Sequence, residues 1–199
     1  MINNIDIRPY KKALREKFKN ERRNMNESEK EIIDLKISEN LFNLPLFKNA
    51  NVILTYVSTE IEVDTIEIIN HSLKMGKTVA VPRCIEGTRN MDFYILKSLS
   101  QLESGSFGVL EPKTYLCKKL LDFSSGLCIV PALVYDKRGY RLGYGKGYYD
   151  RFLSKFNGQT VGISYDFCLI DEIPNGKYDK RLDKIVTQTK TLNISEEDF

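Results

Sequence analysis

Between Asp136 and Leu153 the chain reads Asp-Lys-Arg-Gly-Tyr-Arg-Leu-Gly-Tyr-Gly-Lys-Gly-Tyr-Tyr-Asp-Arg-Phe-Leu. Gly143, Gly145 and Gly147 alternate around Tyr144 and Lys146, and Tyr148, Tyr149 and Asp150 follow at once. Glycine leaves backbone N–H groups unobstructed, a helix start adds partial positive charge, and lysine adds a full one. The chemistry this combination suits is the binding of a phosphate chain. Neither familiar phosphate loop matches. A Walker loop needs glycine where Tyr140 stands and a hydroxyl where Gly147 stands, and the dinucleotide fingerprint needs its third glycine at Tyr148. Dinucleotide binding stays open as an alternative, with Asp166 as the acid for a ribose, and so does a glycine-rich turn that binds nothing.

Two other groups of residues can do chemistry. Lys11 and Arg15 lie four apart in a basic segment and share a helix face beside the apolar stripe Tyr10, Leu14, Phe18. They can reach a site which that stripe helps to form, or they belong to a solvated basic face. Glu60, Glu62 and Asp64 alternate with Ile61 and Val63 just beyond a strand-like run. Asp64 has a structural task as N-cap of the next helix, with Gly76 as its stop. Glu60 and Glu62 have none, and the C-terminal edge of a parallel strand is where open α/β sheets bind ligands.

The elements that must position these groups follow from periodicity. Helices are predicted from about Ile7 to Met25, and from a reduced capping box at Asn26 and Glu29 to Pro45. Strands are predicted over Asn51–Val57, Thr78–Pro82, Met91–Leu96, Leu127–Tyr135, Thr160–Tyr165 and Arg181–Thr187. The order strand, glycine loop, helix surrounds Lys146, with Tyr149, Phe152, Leu153 and Phe156 on one helix face. This alternation predicts an α/β fold, a three-layer α/β/α sandwich with a mostly parallel central sheet, Rossmann-like. A length of 199 residues and the lack of a linker predict a single domain over residues 1–199.

Composition narrows the function classes. With 42% hydrophobic and 29% charged residues the chain reads as a soluble protein. No apolar run approaches the roughly 20 residues that span a bilayer, and Met1-Ile-Asn-Asn-Ile-Asp6 lacks the apolar region of a signal peptide. A cytoplasmic location without membrane partners is expected. Cys84, Cys117, Cys128 and Cys168 are scattered and suit buried free thiols, and the lone His71 argues against a zinc site and against a Ser-His or Cys-His pair elsewhere. His71 itself is expected to face solvent on an amphipathic helix. A net charge of +3 does not by itself call for nucleic acid. RNA binding through the basic first helix is the non-enzymatic alternative, and its signature would be a steep salt dependence.

The stretch Arg141-Leu-Gly-Tyr-Gly-Lys-Gly-Tyr-Tyr-Asp150 resembles the signature loop of the 5-formyltetrahydrofolate cyclo-ligase, or methenyltetrahydrofolate synthetase, family. Lys11-x-x-Leu14-Arg15, Glu60-Ile-Glu62, Pro82-Arg83, Met91-Asp92, Gly108-Val-Leu-Glu-Pro112 and Asp183 resemble further landmarks in the family's order, so the resemblance runs over essentially the whole chain. It implies an ATP- and Mg²⁺-dependent cyclisation of 5-formyltetrahydrofolate to 5,10-methenyltetrahydrofolate, with release of ADP and phosphate. On the matching positions it implies ATP contacts at Lys11, Lys12, Ala13, Leu14 and Arg15 and from Arg141 and Leu142 through Gly143, Tyr144, Gly145, Lys146 and Gly147 to Tyr148 and Tyr149. It implies folate contacts at Thr55, Glu60 and Tyr144 to Tyr148, and magnesium at Asp150 and Asp183. Lys146 and Arg141 are the expected catalytic cations, Glu60 the expected partner of the pterin N–H donors, and Tyr148 a wall of the pterin slot, while Tyr149 is expected to pack the helix start. The partners are then small molecules, with a monomer or weak dimer expected.

Overall fold

The computed structural model describes residues 6–105 and 108–194; Met1 to Ile5 of the N-terminal stretch lie outside them. Helix α1 (Arg8–Arg23) starts with proline in its first turn, where the missing N–H costs nothing. Of its expected stripe, Phe18 is buried, Leu14 packs against the core and Tyr10 is exposed. Helix α2 (Glu27–Asn43) is capped by Asn26, whose side chain accepts from the Glu29 N–H at 3.2 Å, and α3 (Pro45–Asn49) follows. Helix α4 (Ile66–Lys74) has Thr65 rather than Asp64 at its N-cap, although the Asp64 carboxylate accepts from the Ile66 N–H at 2.9 Å. His71 does not face solvent alone. Its ring stacks on Phe42 with centroids 3.9 Å apart, which ties α4 to α2.

The strands in chain order are β1 (Val52–Thr55), β2 (Thr78–Cys84), β3 (Met91–Leu96), β4 (Leu102–Ser104), β5 (Leu110–Pro112), β6 (Lys118–Lys119) and β7 (Leu127–Val130). They continue with β8 (Val134–Asp136), β9 (Arg141–Leu142), β10 (Gln159–Ile163), β11 (Leu169–Ile170), β12 (Lys184–Val186) and β13 (Thr191–Asn193). Eight of them form one sheet in the order β13-β12-β10-β7-β1-β2-β3-β6. The strands from β12 to β2 are mutually parallel, and β13, β3 and β6 are antiparallel additions at the edges. The expected mostly parallel central sheet is present.

Side chains alternate between its faces, as the strand period requires. Ile53, Leu127, Ile129, Val161 and Ile163 join a core with Phe18, Ile37, Leu41 and Phe47, from α1 to α3. Leu54, Cys128 and Val130 point the other way, against Phe152 and Leu153 of α5 (Tyr148–Leu153) and the nearby Phe156. The layers are unequal, since among the described residues the second face carries α5 alone of the helices of six residues or more. Among the described residues no helix is long and apolar enough to cross a membrane.

The expected strand Leu127–Tyr135 is two strands. Pro131 has no N–H to continue the ladder, so β7 stops at Val130, and β8 passes into a separate sheet of order β11-β8-β9. Gly162 permits this crossing, because a Cβ there would lie 2.4 Å from the Tyr135 ring. The break leaves the C-terminal ends of β1 and β7 uncovered at the point where the strand order reverses.

Candidate active site

A cleft of about 760 Å³ occupies that reversal point. Tyr56, Thr59 and Glu62 enter it after β1, Pro82 and Cys84 from β2, and Pro131 after β7. The glycine loop, from Arg141 to Asp150, forms the opposite wall, and α1 closes one end with Lys11 and Arg15.

The loop owes its shape to glycines that adopt left-handed backbone, Gly145 at φ +91° and Gly147 at φ +72°. Arg15 donates from Nε to the Gly143 carbonyl at 2.8 Å, and a Cβ on Gly145 would stand 3.2 Å from its guanidinium. Lys11 pairs with Asp179 at 2.7 Å. Helix α1 is thus fastened to both the loop and the segment after Pro174. Arg141, whose side chain is 4% exposed, donates to Asp150 Oδ1 and to the Lys180 carbonyl, both at 2.8 Å. Lys146 lies on the exposed part of the loop and lines the cleft. The cationic end therefore holds Lys11, Arg15 and Lys146 around unobstructed amides, with the carboxylates of Asp150 and Asp179 beside them.

The opposite end is built on Glu62, not Glu60. Glu62 is 5% exposed, and its Oε2 accepts from both the N–H and the hydroxyl of Thr59 at 2.9 Å. Its Oε1 accepts from the Tyr144 hydroxyl at 3.1 Å. Burial first, and the neighbouring Glu62 charge second, push the Tyr144 hydroxyl well above the ordinary phenol range, so it donates as a neutral phenol. Glu60 lies exposed at the rim. The only local sign favouring Glu62 is the hydroxyl of Thr59 three residues earlier; Tyr144 comes from 82 positions away and carries no local signal.

Other expected residues fall in different places. Lys12 and Ala13 are on the exposed face of α1, while Leu14 packs into the core. Thr55 is buried under the cleft, and its hydroxyl donates to the Tyr56 carbonyl at 3.2 Å. Leu142 is a buried part of the wall, and Tyr149 also lines the cleft with its hydroxyl buried. Tyr148 stands at the mouth, donating to the Thr88 carbonyl at 3.3 Å. Asp183 is not brought to the cleft. It precedes β12, at the opposite end of the strands, and its Oδ2 accepts from the Thr160 N–H at 2.7 Å and hydroxyl at 2.8 Å. Asp179, four positions earlier, is the carboxylate that faces Lys11. Asp166 does not line the cleft either; it accepts from the Thr189 hydroxyl, so a dinucleotide there would lack its ribose acid.

Comparison with known proteins identifies the fold and the family. The chain is 31% identical over 175 residues to the probable 5-formyltetrahydrofolate cyclo-ligase of Schizosaccharomyces pombe, covering 79% of this chain and 85% of that one. The NMR structure of the 5,10-methenyltetrahydrofolate synthetase of Aquifex aeolicus superposes with a TM-score of 0.81 at 30% identity, covering 95% of each chain. A 5,10-methenyltetrahydrofolate synthetase from Mycoplasma pneumoniae shares the fold, with a TM-score of 0.71 at 24% identity over 89% of this chain and 98% of that one. Residues 7–188 match the family defined by these enzymes, and the chain belongs to the 5-formyltetrahydrofolate cyclo-ligase family.

Proposed function

We propose that the protein cyclises 5-formyltetrahydrofolate to 5,10-methenyltetrahydrofolate and converts ATP to ADP and phosphate. The observation that carries this reading is a single cleft with two unlike ends. A glycine loop ringed by Lys11, Arg15 and Lys146 suits a triphosphate, and a buried carboxylate beside Tyr56, Pro82 and Met91 suits a flat heterocycle with N–H donors.

The N5-formyl group is an amide, and its oxygen is a poor leaving group. Transfer of the γ-phosphoryl group breaks the bond from phosphorus to the ADP oxygen and forms a bond to the formyl oxygen. N10 then attacks the formyl carbon and loses its proton, and the carbon–oxygen bond breaks to release phosphate. Lys11, Arg15, Lys146 and the loop amides hold the phosphates and meet the charge that spreads over the transferring group. Glu62 accepts from the pterin N–H groups and aims the formyl oxygen at the phosphate chain. Tyr144 links the two ends, because it belongs to the loop and holds the carboxylate.

The residues also fit magnesium. Among the described residues no cluster of three or more His, Cys, Asp or Glu could hold a metal by itself. Mg²⁺ commonly binds through one or two carboxylates plus substrate phosphates, and Asp150 and Asp179 line the phosphate end. When bound there it would supply charge neutralisation on the phosphate oxygens. Asp183, locked to Thr160, has no part in this proposal.

The test is to mix the protein with 5-formyltetrahydrofolate and Mg-ATP and follow the near-ultraviolet absorbance of the methenyl product; well-folded protein that gives none would refute the proposal. Lys146→Ala is expected to reduce turnover by about 10- to 100-fold with the protein still folded. A wild-type rate in that variant would remove the lysine from the mechanism. Gly145→Ala carries a left-handed backbone penalty of about 1 kcal/mol and pushes on Arg15. Calorimetric titration should show Mg-ATP affinity falling by about tenfold while the folate affinity holds.

A further inference from the structure

We propose that Arg22 is a positioning residue for the folate end of the cleft and that it acts through Glu62. The inference rests on the folate reading above. Arg22 lies in the last turn of α1 and is 3% exposed. Among the described residues no carboxylate pairs with it at ion-pair distance. Its donors are satisfied by neutral acceptors instead: Nη2 donates to the carbonyls of Ala132 at 2.9 Å and Leu133 at 2.8 Å, and Nη1 to Ile61 at 3.3 Å. Nε lies 3.4 Å from the Cys168 sulfur.

Burying a guanidinium this way carries a desolvation cost that methionine in the same space would avoid. What the arginine adds is geometry and charge under the site. The Tyr165 hydroxyl donates to the Glu62 carbonyl at 3.1 Å, and the Arg22 guanidinium stacks 5.3 Å from the Tyr165 ring. The consecutive carbonyls of Ile61 and Glu62 are therefore both gripped from the buried side, which sets the direction of the Glu62 side chain. The carbonyls of Ala132 and Leu133 come immediately after Pro131, so one guanidinium joins the walls that follow β1 and β7.

The charge has a partner as well. Arg22 and Glu62 act with opposite sign on the same phenol hydroxyls, those of the buried Tyr56 and Tyr135 and of Tyr144 in the loop. Those hydroxyls, and those of Tyr149 and Tyr165, stay protonated, so the charges facing this floor are Glu62, Arg22, Arg141 beyond Tyr135 and Tyr149, and, beside Tyr165, Asp34, which pairs with Lys30 at 2.6 Å. Opposite charges separated by low-dielectric material attract more strongly than in water. Arg22 thus offsets the charge of the carboxylate that the substrate has to find correctly aimed.

The experiment is a double-mutant cycle read by binding. The affinities for 5-formyltetrahydrofolate and for Mg-ATP are measured separately by calorimetry for the wild type, Arg22→Met, Arg22→Lys, Glu62→Gln and Arg22→Met/Glu62→Gln, with melting temperatures alongside. Arg22→Met is expected to weaken folate binding by about 10- to 30-fold and Mg-ATP binding by less than about threefold, and Arg22→Lys to recover part of the loss. In the Glu62→Gln background the same Arg22→Met change should cost less than about threefold. Equal losses in both backgrounds, parallel losses for both ligands, or no loss would overturn the proposal. If Arg22→Met does not unfold cooperatively, Arg22→Lys compared in the two backgrounds decides by the same criteria. A wild-type protein that binds no 5-formyltetrahydrofolate would instead refute the folate reading itself.

Discussion

Replacing Glu62 by Gln is expected to lower kcat/KM for 5-formyltetrahydrofolate by about 10² or more, with Mg-ATP affinity changed by less than about threefold. Both Glu62 oxygens act as acceptors: Thr59 supplies two donors to Oε2, and Tyr144 supplies one to Oε1. A glutamine has one acceptor oxygen; with that oxygen kept on the two Thr59 donors, its NH₂ group faces Tyr144, whose hydroxyl must turn from donor to acceptor. The variant therefore loses the charge and one acceptor oxygen that a pterin N–H would meet, while the contact with the glycine loop persists in the reversed sense. Glu60→Gln is the control. Its side chain is at the exposed rim, so its effect should remain within about twofold. Steady-state rates with each substrate varied would check both. If Glu60→Gln proved the more damaging, the assignment of the carboxylate would be wrong.

The second large effect is expected at Arg141. Arg141→Met removes a nearly buried cation, frees the Lys180 carbonyl and leaves Asp150 without its partner. Breaking a fully buried ion pair by removing one side costs about 3–5 kcal/mol, and the partial exposure of Asp150 reduces this to about 2 kcal/mol. The denaturant midpoint should fall accordingly. Turnover should fall further, by about 10²-fold, because Asp150 is no longer held beside the loop and the chain at Asp179 and Lys180 loses an anchor. Adding Asp150→Asn to Arg141→Met should restore part of the stability and none of the turnover. Full activity in Arg141→Met would show that the arginine is only structural.

Arg141, Asp150 and the glycines lie within ten residues of each other, and local spacing was enough to read that stretch as a phosphate cradle. The parallel sheet was equally accessible, because β-branched runs alternating with amphipathic helices have few other ways to bury their apolar faces. The α1 cations were half legible. Spacing put Lys11 and Arg15 on one face, but a solvated basic helix has the same spacing, and only the contacts with Gly143 and Asp179 distinguish the two. Pro131 within a long apolar run was the available sign that β7 would end early.

What the sequence by itself determined, then, is the kind of layered fold, the glycine loop and the region after β1 where an acid could meet a ligand. These follow from steric limits on single residues and from periodicities within one element. Which of the two acids is buried in the cleft, Glu62 or Glu60, and which late aspartate faces it, Asp179 or Asp183, only the tertiary structure decided. Each choice depends on partners far along the chain: Tyr144 for Glu62, Lys11 for Asp179 and Thr160 for Asp183. The same is true of Arg22, which in the sequence is one basic residue among many on a helix. Its burial follows from packing α1 over the reversal point of the sheet, where carbonyls from two separate segments and the Cys168 sulfur from a third converge on it.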